Sequence, residues 1–184
     1  MKATDVLMAE HEVILRVISA LEKAADRLEQ GAAIRPAFFA DSARFIKGFA
    51  DGCHHKKEEG VLFEAMEAHG MPGQAGPIGV MLVEHARGRI FTRDMADAAR
   101  RWEAGDQSAC AEIIKNARGY AELLRQHIAK ENGMLFPMAD QVIPPSEQAW
   151  VYEDFERVEH EETGVGVHEK YLALAAALEK EVSA

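Results

Sequence analysis

Residues 54–66 read HHKKEEGVLFEAM, and residues 127–139 read HIAKENGMLFPMA. Aligned without a gap, both copies spell His-x-x-x-Glu-x-x-x-Leu-Phe, and Met66 and Met138 fall at near-equivalent places. His and Glu four residues apart stand one turn apart on an α-helix, so each copy offers an imidazole and a carboxylate on the same face. A chain that writes this pattern twice requires two helices that bring those faces together.

The rest of the chain supplies the helices. Alternating apolar and polar runs are nearly absent and helical periodicity dominates, which predicts an all-α fold. Thr4 is the expected N-cap of a first helix that runs to about Gln30 and ends at Gly31. Pro36 opens a second, running to about His69, and Pro77 a third, ending near Gly105. Asp106 or Ser108 caps a fourth that ends near Asn132, with Pro137 and Pro144-Pro145 as interruptions. Ser146 caps a further helix to about Glu162, and a last amphipathic helix covers 167–182. The expectation is an up-down-up-down four-helix bundle over residues 1–143, with residues 144–184 as an additional C-terminal helical segment packed on it.

Helical phase sorts the doubled letters. At about 100° per residue, Glu58, Val61 and Leu62 share the face of His54, whereas Lys56 and Glu59 point away. His55 lies at the margin, about 100° from His54. His54 and Glu58 are therefore the expected inward pair, and His55 with Glu59 the solvent-side flank. On the fourth helix His127 shares a face with Tyr120, Leu123, Leu124, Glu131 and Met134. His11 sits among Leu7, Met8, Leu15 and Ile18, and His85 among Ile78, Met81, Leu82 and Thr92.

Four buried imidazoles and two buried carboxylates in one bundle core cost several kcal/mol unless a counter-charge meets them. Metal cations supply it, and imidazole with carboxylate suits iron, manganese or zinc. Six protein ligands exceed what one ion with an open position takes, which points to two metals bridged by carboxylates. The net charge of −10 excludes a basic face for nucleic acid. No apolar run is long enough to cross a bilayer, and the N-terminus reads as a helix start. Two cysteines, Cys53 and Cys110, make no disulfide framework, so a reducing cytoplasm is the expected compartment.

These residues resemble the hemerythrin-like (HHE cation-binding) family. The resemblance rests on Glu10-His11, on His54 with Glu58, on Glu84-His85 followed by Gly88 and Arg89, and on His127, Glu131 and Leu135-Phe136-Pro137. It spans residues 4 to about 140. It implies a bundle holding two iron ions in a non-haem di-iron centre, with an oxo or hydroxo bridge. Carried over, His11, His54, His85 and His127 are terminal metal ligands, and Glu58 and Glu131 bridge. The implied partners are a small diatomic, O2 or NO, or peroxide. The implied roles are oxygen binding or sensing, or else an enzyme handling nitric oxide or peroxide, or iron storage and delivery for iron–sulfur centre repair. Two departures from the oxygen carriers stand out. Arg89 occupies the place one turn after His85 where those proteins have a second His, and Glu131 stands for their Asp. Loss of that His opens a coordination position.

Tyr120 is a candidate donor to a metal-bound ligand, and Arg89 a candidate partner for a bridging carboxylate. Cys53 falls about 100° from His54, off the ligand face. His160 is expected in solvent. His168 belongs either to a second, weaker metal site or cover, or to a charged appendage; a monomer and a homodimer are both compatible with it.

Overall fold

The computed structural model describes residues 2–164 and 166–183. It is all-α, and no strand occurs among the described residues. Helix α1 spans Ala3–Glu29. Helix α2 (Pro36–Phe45) continues through two π-helical stretches, Ile46–His55 and Glu58–Leu62, into α3 (Phe63–Ala68). Helix α4 spans Pro77–Glu103, and α5 spans Ala109–Lys130. A π turn at Glu131–Leu135 joins α5 to α6 (Phe136–Val142). Helix α7 (Gln148–Arg157), a π turn over Val158–Thr163, and α8 (Val167–Glu181) complete the chain.

Two apolar clusters fill the bundle, one on each side of the His/Glu layer. Ile14, Phe49, Ala50, Met95 and Leu124 belong to the first. Leu7, Leu62, Met81, Leu135 and Phe136 belong to the second. On α1 and α4 residue numbers rise from the second cluster to the first; on the other two helices they fall. That alternation is the up-down-up-down topology. The C-terminal helices brace both clusters: Val151, Phe155 and Val158 enter the second, and Ala175, Leu178 and Val182 the first. Ion pairs from Arg16 to Glu179 (2.6 Å) and from Arg35 to Glu181 (2.8 Å) hold α8 against the bundle.

Local details depart from the sequence-based expectations in three places, one of them Ser146, which lies in a turn ahead of α7 while Glu147 takes the N-cap position. Helix α1 starts at Ala3, and Thr4 lies inside it, its hydroxyl donating to Asp140 Oδ1 at 2.9 Å. Pro137 does not end the fourth helix. The π turn that runs up to it widens the backbone where proline lacks an N–H, and helix continues to Val142.

Candidate metal centre

The π-helical stretches decide which side chains face the core. A π turn bonds i→i+5 and holds about one residue more than an α turn, so the phase slips relative to an ideal α-helix. Through Ile46–His55 this slip brings both His54 and His55 inside, at 1% and 3% exposure. The solvent-side reading of His55 is therefore incorrect: its ring stacks on His85 with centroids 3.8 Å apart. Glu59 does lie outside the cluster, but it touches it, accepting from His85 Nδ1 at 2.7 Å. The same phase slip turns Met134 outward, to 60% exposure.

His11, His54, Glu58, His85, His127 and Glu131 are all buried and meet in one layer. Two groups emerge: His11, His54, Glu58 and Glu131 form one, and His55, Glu58, His85 and His127 the other. Glu58 spans them, with Oε1 3.4 Å from His54 Nε2 and Oε2 3.4 Å from His85 Nε2. Glu131 does the same, with Oε2 3.2 Å from His11 Nε2 and Oε1 3.0 Å from His127 Nε2.

Each ring is oriented from behind. His11 Nδ1 meets Asn132 Oδ1 (2.8 Å), His54 Nδ1 meets Glu10 Oε2 (2.9 Å), and His55 Nδ1 meets Asp51 Oδ1 (2.9 Å). His85 Nδ1 meets Glu59, and His127 Nδ1 meets Glu84 Oε2 at 2.9 Å. All five rings donate outward through Nδ1–H, which leaves every Nε2 lone pair facing the centre. The outer carboxylates have cations in turn: Lys57 binds Glu10, Lys130 binds Glu84, and Arg89 binds Glu59 at 2.6 Å. Sequence reasoning missed this outer ring, apart from Arg89, whose partner is Glu59 and not a central carboxylate. Lys57, fully buried, carries no local signal of its role, because its partners come from α1 and from Glu159.

This geometry demands a positive charge at the centre. Nε2 atoms lie 3.0 Å apart in the His11–His54 and His85–His127 pairs, a spacing that needs a proton or a cation shared between them. All four oxygens of Glu58 and Glu131 are buried without a hydrogen-bond partner. Burial opposes ionisation of Glu58, but His54 and His85 outweigh it and hold the carboxyl well below its usual range. Burial likewise pushes His54 down, and Glu58 and Glu10 reverse this, lifting it to about 10. His55 is driven well below its usual value by burial and by the neighbouring His85. A cluster so arranged holds either protons or metal cations, and outward-donating Nδ1–H groups with inward lone pairs fit cations.

Among known proteins the chain is 27% identical, over 182 residues, to uncharacterized proteins of Mycobacterium bovis (Mb2018) and Mycobacterium tuberculosis (Rv1995). Those matches cover 97% of this chain and 69% of each relative, the C-terminal helices included. No solved structure gives a significant match. Residues 2–139 match the hemerythrin HHE cation binding domain. With a buried His/Glu cluster built into a helical bundle, and that match over most of its length, the chain belongs to the hemerythrin HHE family of cation-binding domains.

Proposed function

We propose that the cluster holds two iron ions and that the protein binds or senses O2 or a related small molecule at that centre. The observation that carries this reading is the sharing of Glu58 and Glu131, each with one otherwise unpartnered oxygen in each half-site. Two carboxylates divided in this way bridge a pair of ions. His11 and His54 would hold one ion, and His55, His85 and His127 the other, as the two groupings of side chains support. His55 thus supplies an imidazole that the position of Arg89 lacks. When bound, the irons supply a redox-active Lewis-acid centre that cycles between ferrous and ferric states.

The remaining work falls to the chain's own groups. The Nδ1 partners fix each ring's tautomer and angle. Phe136 stacks on His11 at 5.4 Å and Phe63 lies over His85 at 6.2 Å, and these apolar walls keep bulk water out. An open cleft of about 1010 Å³ is lined by Asp51, Glu59 and Arg89, the groups that stand behind His55 and His85. The half-site of His11 and His54 carries fewer imidazoles, which favours it as the place with room for an external ligand.

Tyr120 favours a second, catalytic reading. Its hydroxyl is buried without a hydrogen-bond partner, and a Cβ on Gly88 would sit 3.6 Å from its ring. Burial, reinforced by the negative Asp51, keeps the phenol protonated well above its usual range, so it remains a donor. A donor of this kind suits reduction of nitric oxide or decomposition of peroxide. A third role, iron storage or delivery, uses the same ligands.

The test is anaerobic loading with Fe2+, with stoichiometry and an optical spectrum, followed by titration with O2, peroxide and NO. A charge-transfer band that appears with O2 and vanishes on its removal supports binding. Catalytic product formation supports the enzyme reading, and rapid loss of iron to an apo acceptor supports delivery. Full metal binding by a His54→Ala, Glu131→Ala double variant would sink all three.

A further inference from the structure

Beyond the four oxygens of Glu58 and Glu131 and the Tyr120 hydroxyl, the buried side-chain polar atoms without a hydrogen-bond partner include Nδ1 of His168. Its nearest charged neighbour is Glu159 Oε1, at 3.1 Å. A carboxylate oxygen and an imidazole nitrogen at that distance, on two partly buried side chains, resemble the close His–Glu pairs of the central cluster. The Cys53 thiol stands within 4.8 Å of the same His168 ring's ligand atom. One ligand atom from each of Glu10, Cys53, Glu159 and His168 falls within 4.8 Å of the other three.

We propose that Cys53, Glu159 and His168, with Glu10 in reach as a fourth ligand, form a separate site for one divalent cation of the zinc type. A thiolate, an imidazole and carboxylates are the donor set that such an ion accepts in a tetrahedral shell, with bonds of about 2.0–2.3 Å. Lys57 borders this place, its ammonium paired with Glu10 as well as Glu159. It meets Glu159 through Oε2, at 3.0 Å, while Oε1 faces His168. Glu10 is the most committed of the four, since its oxygens already serve His54 and Lys57. The thiol proton leaves when the metal binds. Glu159 and His168 lie outside residues 2–139, the segment that matches the family, so this site belongs to the junction between bundle and C-terminal segment. A metal there fastens the π turn over Val158–Thr163 and the first turn of α8 to Cys53, the residue next to His54. It also sits one hydrogen bond from the central cluster, through Glu10.

The test is titration of the metal-free full-length chain with Co2+ under anaerobic, reducing conditions. Absorbance and equilibrium dialysis are read together. The expected result is three bound equivalents and a near-ultraviolet thiolate-to-cobalt band. Cys53→Ser and His168→Ala should each lose that band and one equivalent, keep two, and retain wild-type helicity by circular dichroism. His168 is partly exposed, so its variant guards against a folding failure of the Cys53 variant. Two equivalents without a thiolate band in the wild type, or a third equivalent that survives both variants, would overturn the proposal. A thiolate band with one equivalent would uphold it and instead remove the di-iron reading of the central cluster.

Discussion

At the scale of single residues, His55 is where helical phase and tertiary structure disagree most. Its ring stacks on His85, its Nδ1 is anchored by Asp51, and its Nε2 side faces the half-site of His85 and His127. On the proposed two-ion reading, truncating it would leave that half-site with two imidazoles. His55→Ala is therefore expected to lower bound iron from two equivalents to about one. Glu59→Gln, which changes only the group behind His85, should keep both ions at an affinity reduced about 10–100-fold. Metal titration of the two variants side by side checks this; full, tight occupancy in His55→Ala would remove His55 from the ligand set. Asp51 belongs to the same argument. Burial raises it to about 6 despite the nearby Arg89, so it is the outer carboxylate least firmly held ionised.

At the scale of elements, the π stretches and the docking of α8 carry the specificity. The helix from Pro36 to Ala68 presents consecutive histidines to one core only because its winding loosens through Ile46–His55. That loosened stretch is braced from outside by α8. Tyr171 crosses directly over Gly48, so a Cβ there would lie 1.7 Å from the tyrosine hydroxyl. Gly48→Ala is accordingly expected to displace Tyr171 and cost about 1–3 kcal/mol. Hydrogen exchange should speed up in α8 first, with the α4–α5 pair unaffected. Combining it with Tyr171→Ala should recover part of the loss, because the clash is then gone; equal losses in the single and double variants would mean that α8 docks independently of this contact.

For the whole molecule, the central layer is a concentration of charge between two apolar clusters, and cations stabilise it. Metal that binds the folded chain at a free concentration about a thousandfold above its Kd adds about 4 kcal/mol. For a chain of this size that corresponds to a rise of about 8–16 °C in Tm. Removing metal with a chelator should lower Tm by that order, and re-adding Fe2+ should restore it. A Tm indifferent to both treatments would contradict a metal-filled core. No helix among the described residues is long and apolar enough to cross a membrane, and the chain carries a net charge of −10.

Much of this was legible in the sequence, and the physical reason is spacing. His-x-x-x-Glu places an imidazole and a carboxylate one turn apart whatever the rest of the chain does, so the doubled motif, the all-α class and the burial of His11, His54, Glu58, His85, His127 and Glu131 followed from local periodicity. Proline and glycine marked most helix ends for the same local reason. What tertiary structure alone decided was non-local or depended on a break in regular winding. His55 turned inward because the backbone adopts π turns that a fixed 100° step does not contain. The partners behind the rings, Glu10, Asp51, Glu59, Glu84 and Asn132, became visible only in the folded chain. The meeting of Cys53 with Glu159 and His168 joins residues more than a hundred positions apart, and only the docking of the C-terminal helices onto the bundle brings them together.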